Sequence, residues 1–220
     1  MLHICRLIRN NIIVLEGLQN IIFDLGNVII DIDLDSVRRK VSWLTDLSPE
    51  AVQNLINENE FFLQYEKGQI SSVDFRAKLR ELFDAPWSDD QVDALWNGIL
   101  LDVPKERFRL LEHLAPQYRL FILSNTNEIH ISQFEKIVEK AYGWGAFSAF
   151  FDHIYYSHHM GKRKPDPEIF EEVITANQLS PAATLFVDDF HENVVSAETL
   201  GLRTLHVTTP KTLINYFNGV

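Results

Sequence analysis

Short runs rich in apolar residues alternate along this chain with stretches of helical spacing. Ile21-Ile22-Phe23, Leu120 to Leu123, residues 151–157, Leu185-Phe186-Val187 and Leu202 to Val207 are each a few residues long. Runs of that length, bounded by polar residues or Gly, predict buried strands. Between them lie amphipathic segments. Lys105 to Leu114 places Phe108, Leu111 and Leu114 on one face, and a second segment carries Ile129, Phe134, Ile137 and Val138. Residues 167–177 open with Pro167, and Glu192 to Leu200 is closed by Gly201, the placement that helix ends favour. Strands alternating with helices at this spacing predict an α/β fold, a parallel sheet with helices on both faces.

One block departs from the alternation. From Ser36 to Leu101 the pattern is helical throughout, with no convincing strand. Ser48-Pro49 is an N-cap followed by Pro at the first helical position, before Val52, Leu55 and Ile56 on one face. Ser72 can cap a helix carrying Phe75, Leu79, Leu82 and Phe83, and Ser88-Asp89-Asp90-Gln91 fits a capping box before Val92, Leu95, Trp96 and Ile99. Gly68 breaks the pattern between helices. Phe61, Phe62, Trp87 and Trp96 are expected to form a core for this block. Asp31 to Asp35 alternates acidic and apolar residues, which suits a short hairpin or flap. The expected division is an N-terminal extension at 1–17, a core domain at 18–34 and 105–220, and a helical insertion at 35–104.

Composition narrows the partners. The chain is 46% hydrophobic and carries a net charge of −11 over 220 residues. Its longest basic run is Lys162-Arg163-Lys164, which argues against nucleic acid or an anionic membrane as a partner. Cys5 is the only cysteine, so no internal disulfide can form and a reducing cytoplasm is the expected compartment. Arg6 and Arg9 precede Ile12 to Leu15, but that apolar run is too short for a signal peptide and Glu16 interrupts it. No stretch approaches the ~18 apolar residues of a membrane span.

The chemistry sits at the ends of the strands. Asp24 follows the first strand and Gly26 then allows a tight turn and close backbone approach. The Ser124-Asn125 pair follows the second strand, Asp188-Asp189 the fourth, and Lys164 lies in the loop before the Pro167 helix. In a parallel sheet these ends share one edge, where open α/β sheets bind their ligands. Carboxylates from different strands suit Mg²⁺, which prefers hard oxygen ligands, and a carboxylate beside such an ion can attack phosphorus. A lysine would offset the charge, while a hydroxyl and backbone N–H groups would hold phosphoryl oxygens. Taken singly, an Asp-Asp or Ser-Asn pair is usually a turn or loop and a lysine a solvated charge. Their order and shared edge make the set.

Phe23-Asp24-Leu25-Gly26-Asn27-Val28, Leu123-Ser124-Asn125-Thr126, Lys164-Pro165-Asp166-Pro167 with Phe170, and Phe186-Val187-Asp188-Asp189 resemble the four motifs of the haloacid dehalogenase-like superfamily. The resemblance covers about residues 20–218 and is closest to a bacterial subgroup of phosphatases acting on glucose 1-phosphate, which shares a turn like Glu66-Lys67-Gly68. It implies a Rossmann-like core with a helical cap inserted after the first strand. It also implies a Mg²⁺-dependent phosphomonoesterase working on a small phosphorylated metabolite through an aspartyl-phosphate. By it Asp24 is the nucleophile, and Asp24, the Gly26 carbonyl and Asp189 hold Mg²⁺. Ser124 and Asn125 bind phosphate, Lys164 stabilises the phosphoaspartate, and Asp188 orients Lys164 or a metal-bound water. Glu66 and Lys67 reach the substrate from the cap.

The chain departs from the family in one place. Most phosphatases of the superfamily carry a second Asp two residues after the nucleophile, as general acid and base, and here that position is Gly26. A phosphomutase is therefore not expected. Two further readings stand beside the phosphatase: a metal-independent 2-haloacid dehalogenase, against which the Asp188-Asp189 pair argues, and a catalytically weakened phosphate- or partner-binding module, against which intact Asp24, Lys164 and Asp189 argue. His158-His159 lacks a third ligand spaced for zinc, His191 is expected to be exposed, and Asn193 is placed to reach a metal-bound water.

Overall fold

The computed structural model describes residues 6–9 and 12–218. The chain opens with an antiparallel pair, β1 (Arg6–Arg9) and β2 (Ile12–Leu15), followed by β3 (Asn20–Phe23). Five helices come next: α1 (Asp35–Thr45), α2 (Pro49–Glu58), α3 (Phe61–Glu66), α4 (Ser72–Leu82) and α5 (Asp89–Trp96). The alternating part then runs α6 (Lys105–Leu114), β4 (Arg119–Ser124), α7 (Glu128–Tyr142), α8 (Trp144–Ser148), β5 (His153–Tyr156) and α9 (Ser157–Met160). It finishes with α10 (Pro167–Ala176), β6 (Thr184–Asp188), α11 (His191–Thr199), β7 (Arg203–His206) and α12 (Pro210–Asn218).

The five strands expected from the sequence form one parallel sheet in the order β5-β4-β3-β6-β7. Because strand side chains alternate, each central strand feeds two cores. Ile21, Phe23, Leu120, Ile122, Leu185 and Val187 join the cluster that holds Leu110, Leu111 and Leu114 of α6 and Phe134 of α7. Ile22, Phe121, Leu123 and Phe186 join the opposite cluster, with Ile169, Phe170 and Val173 of α10. Burial on both faces explains why these strands read as continuous apolar runs rather than alternating ones. Each fully buried Phe or Leu contributes roughly 1.5–3 kcal/mol, so the central strands are anchored firmly and their carboxyl ends are fixed in space.

The helical block has a core of its own, built on Val41, Val52, Phe61, Phe62, Phe75 and Val92. Ile129, from the first turn of α7, is buried in that same cluster, so the block is seated on the sheet domain rather than tethered above it. Its capping signals are used with one correction. Ser48 and Ser88 cap α2 and α5 as read, but α4 is capped by Ser71, in a capping box with Asp74. Ser72 lies one residue inside the helix, where its hydroxyl meets the Tyr65 hydroxyl at 2.8 Å and Glu128 of the sheet domain.

Other expectations shift for physical reasons. Residues 31–33 do not form a hairpin with their neighbours. They pair with residues 99–102 on the far side of the helical block, through Asp31 N–H to Asp102 O at 3.1 Å, Leu101 N–H to Asp31 O at 3.0 Å and Asp33 N–H to Ile99 O at 2.8 Å. The entry and exit of the block are thus one short antiparallel ladder. The run at 151–157 yields a strand only over His153–Tyr156, since Ser157 opens α9. Of the expected extension at 1–17, residues 1–5, 10 and 11 lie outside the described residues, as do 219 and 220. Leu15 belongs to the main core, and its N–H donates to the Tyr118 hydroxyl at 3.3 Å.

Candidate active site

Asp24 stands directly after β3, the middle strand, and its N–H donates to Val187 O at 2.8 Å, which extends the ladder one residue beyond the strand. β4 ends at Ser124 and β6 at Asp188. The parallel register Phe23 to Ile122 and Phe23 to Val187 brings all three ends level on one edge. This is the edge where sheets of this kind open a crevice.

Lys164 is 1% exposed and binds the two carboxylates together. Its Nζ donates to Asp24 Oδ1 at 2.6 Å and to Asp188 Oδ2 at 2.7 Å. Asp188 is satisfied on every side: Phe190 N–H donates to Oδ1 at 2.7 Å, and Asn193 Nδ2 donates to both oxygens at 3.0 Å. Asp24 is different, since its Oδ2 has no hydrogen-bond partner among the described residues and the residue lines a cavity. Burial pushes the Asp24 carboxyl up to about 7, against the pull of Lys164 and with the push of Asp188. Burial alone would lower Lys164, but Asp188 and Asp24 outweigh it and hold its ammonium raised.

Asp189 completes an acidic cluster in which one oxygen from each of Asp24, Asp188 and Asp189 lies within 4.8 Å of the others. Its Oδ2 accepts from Asn27 Nδ2 at 2.9 Å, while its Oδ1 is buried with no partner among the described residues. Burial raises the Asp189 carboxyl and the Asn27 hydrogen bond opposes the rise. A buried orphan oxygen is costly in a folded protein. The clustered carboxylates of Asp24, Asp188 and Asp189 form a hard, all-oxygen donor set of the kind that fits Mg²⁺. Because Asp188 is saturated, Asp24 and Asp189 are the carboxylates with oxygens to offer.

Above this edge, between sheet and helical block, lies a cavity of about 440 Å³. Ser124, Gly26 and Glu66 line it, as the sequence led us to expect. The Ser124 hydroxyl has no partner among the described residues. Asn125 also lines it, but its side chain is committed to the Lys164 backbone: Nδ2 donates to Lys164 O and Oδ1 accepts from Lys164 N–H, both at 2.8 Å. It aligns the lysine, which leaves its backbone for any ligand. Lys67 pairs with Asp166 at 3.1 Å and does not reach the cavity, whereas Glu66 accepts from Arg163 Nε at 3.1 Å. Asn193 holds Asp188, and His191 is exposed with its ring 5.5 Å from that of His206. The His158 and His159 rings are tilted against each other, with centroids 4.1 Å apart, and neither residue lines the cavity.

Several cavity residues escaped the sequence reading. Arg163 looked like a solvated member of a basic run, yet it forms part of the wall. Asn27 takes a left-handed backbone, φ 52°, a conformation Asn tolerates better than most residues, and it aims its amide at Asp189. The Asn after Gly26 was the available signal. Gly68 also adopts positive φ, and a Cβ there would lie 2.1 Å from the His158 carbonyl oxygen, so the Glu66-Lys67-Gly68 turn can sit against the sheet domain only with glycine. A Cβ on Gly26 would meet Ile32 Cδ1 at 2.9 Å. Ile32 occupies the place a side chain at 26 would need.

Comparison with known proteins bears on the fold and the family. Residues 18–201 match the family described as haloacid dehalogenase-like hydrolase. The chain is 29% identical over 187 residues to D-ribitol-5-phosphate phosphatase of Bacteroides thetaiotaomicron, covering 85% of this chain and 90% of that one. It is 32% identical over 165 residues to sesquiterpene phosphatase astK of Aspergillus oryzae, covering 74% and 80%. Among solved structures, a HAD family enzyme from Bacteroides thetaiotaomicron, in complex with magnesium and inorganic phosphate, superposes with a TM-score of 0.78 at 32% identity. That match covers 86% of this chain and 94% of the other.

Proposed function

The chain belongs to the haloacid dehalogenase-like hydrolases and is a phosphatase of that family, and from that premise we propose that it is a Mg²⁺-dependent phosphomonoesterase acting through an aspartyl-phosphate. The observation that carries the reading is the Lys164 clamp. It fixes Asp24 by one oxygen and leaves the other without a partner among the described residues, in a residue that lines the cavity together with Asp189 and its partnerless Oδ1. Asp24, the Gly26 carbonyl and Asp189 would hold the ion, which supplies charge neutralisation at the phosphoryl oxygens.

Asp24 Oδ2 attacks phosphorus, the bond to the leaving oxygen breaks, and that oxygen departs with the alcohol and takes a proton. Water then attacks the acyl phosphate, releasing inorganic phosphate and restoring the carboxylate. Lys164 stays bonded to Asp24 Oδ1 and offsets the charge of the incoming dianion, while the Ser124 hydroxyl donates to a phosphoryl oxygen. Asp188, held by Phe190 N–H and Asn193, keeps Lys164 in place. No side chain at position 26 can deliver the proton, so substrates with acidic leaving hydroxyls are favoured, and the anomeric oxygen of glucose 1-phosphate is one of these. Relatives named for ribitol 5-phosphate and for a sesquiterpene phosphate support a small phosphorylated molecule as substrate.

Phosphate release from an aryl phosphate, measured with Mg²⁺ and then with excess chelator, tests the reading. Activity should require the metal and should vanish in Asp24→Asn with the fold intact. Robust turnover in either the chelator or the variant would refute it.

A further inference from the structure

The cavity lining carries a group that the hydrolytic chemistry leaves unused. His130, in the first turn of α7, is 8% exposed and lines the cavity. Its backbone N–H donates to Asn127 Oδ1 at 3.1 Å, and its ring lies flat against Trp96, 5.1 Å between centroids at 7°. Nδ1 is 3.0 Å from Asn97 Oδ1. An amide oxygen only accepts, so the hydrogen resides on Nδ1 and Nε2 keeps a lone pair. Nε2 has no partner among the described residues and is not fully sealed from solvent, in a residue that lines the cavity. Burial holds the ring neutral, pushed down to about 3, so the lone pair persists wherever the protein is folded.

A fixed lone pair cannot receive a phosphate oxygen. It can receive a hydroxyl. In the same cavity lining the Glu66–Arg163 ion pair offers a carboxylate acceptor and guanidinium donors, both partly buried. We propose that the part of the substrate beyond its phosphate is a polyhydroxylated chain or ring, and that one of its hydroxyls donates to Nε2 of His130. This rests on the phosphomonoesterase reading above. The alternative occupant is an isoprenyl chain, for which Ile56, Ile99 and Trp96 would serve as wall. Such a chain would strip water from Nε2 and from the Glu66–Arg163 pair and return no hydrogen bond. Sites built to bind a hydroxyl reject analogues that lack it far more strongly than apolar pockets discriminate by size. The cavity's polar groups therefore decide against the isoprenyl phosphate.

The test compares ribitol 5-phosphate and glucose 1-phosphate with phenyl phosphate and farnesyl phosphate. In His130→Phe, which keeps a ring against Trp96, the ratio of kcat/KM for the better polyhydroxylated ester to that for phenyl phosphate should fall at least tenfold, mostly through KM. His130→Gln, which keeps an acceptor, should recover most of it and guards against a folding defect. An unchanged ratio overturns the proposal, and so does farnesyl phosphate turned over as well as either polyhydroxylated ester. Should nothing be hydrolysed, the same comparison is read as affinity in the Asp24→Asn protein with Mg²⁺, relative to inorganic phosphate. Binding that depends on His130 would then refute the hydrolase while supporting the hydroxyl contact, and binding indifferent to His130 would overturn the contact itself.

Discussion

Replacing Lys164 with methionine keeps most of its length and removes its charge, at a position only 1% exposed. Asp24 Oδ1 loses its only donor, and Asp188 keeps Phe190 N–H and Asn193. Two buried carboxylates are then left facing each other without a cation. Removing one partner of a buried ion pair costs about 3–5 kcal/mol, a large share of the roughly 5–15 kcal/mol that holds a domain folded. The loss of the charge opposite the incoming phosphate should cost a further 10²–10³ in kcat, on the order of 3 kcal/mol. Urea melts in chelator would measure the first quantity. Phosphate release at saturating Mg²⁺, corrected for folded fraction, would measure the second. The neighbours give the internal control. Lys162 pairs with Glu172 at 2.7 Å with both side chains about two-fifths exposed, so Lys162→Ala should change stability by less than about 0.5 kcal/mol. Arg163→Ala frees Glu66 in the cavity wall and should act on KM. If folded Lys164→Met kept more than a tenth of its kcat, or if the three variants behaved alike, the clamp would not be the centre of the site.

Two other outcomes follow from the same geometry. The Asp24 carboxyl is raised from its ordinary value to about 7 by burial, so its contribution to stability is full below about pH 4 and is lost as pH rises through 7; in chelator, Asp24→Asn should therefore gain thermal stability relative to the native chain at pH 8 compared with pH 5, and a pH-independent difference would contradict the assignment. Gly26→Asp places a carboxyl beside Asp24, whose Oδ2 lies 3.8 Å from the new Cβ, but Ile32 Cδ1 must yield from 2.9 Å. Paired with Ile32→Val it should raise kcat/KM for sugar 6-phosphates relative to aryl phosphate by up to about 10²–10⁴, and an unchanged ratio with metal binding intact would show that proton delivery does not limit this enzyme.

The sheet was legible because its central strands are buried on both faces. Asp24, Ser124 and Asp188 were legible for the same reason: each is the first polar residue after a buried run. Residues that act across the chain were not. Of the adjacent hydroxyls Ser71 and Ser72, Asp74 three residues on makes Ser71 the α4 cap, while the partners of Ser72, Tyr65 and Glu128, lie elsewhere in the chain. Asn125 follows Ser124 and lines the cavity, but the fit of its amide to the Lys164 backbone 39 positions away could not be read locally. His130 and Arg163 carry no periodic signal at all, since one lies on a helix face and the other in a loop. Their role comes from the helical block resting on α7 and on the loop before α10. Likewise the pairing of residues 31–33 with 99–102 joins segments on either side of a block that the local pattern treats as uninterrupted helix.

Charge balance gives the strongest reason to expect a cation beside Asp24. The three carboxylates of the cluster lie within 4.8 Å of one another and share a single ammonium, Lys164. The other nearby cations are engaged: Arg163 with Glu66 and Lys67 with Asp166. A phosphate dianion entering the cavity would therefore meet an excess of negative charge in a partly dehydrated space, where like charges repel most strongly. Burial raises the carboxyls of Asp24 and Asp189, and the neighbouring carboxylates add to the rise. A divalent ion held by Asp24 and Asp189 would cancel the excess, lower both carboxyls and add to the charge that Lys164 sets against the phosphate. Asp188, with every lone pair engaged, would remain outside that exchange, which is why it is better placed to hold the lysine than to bind the metal.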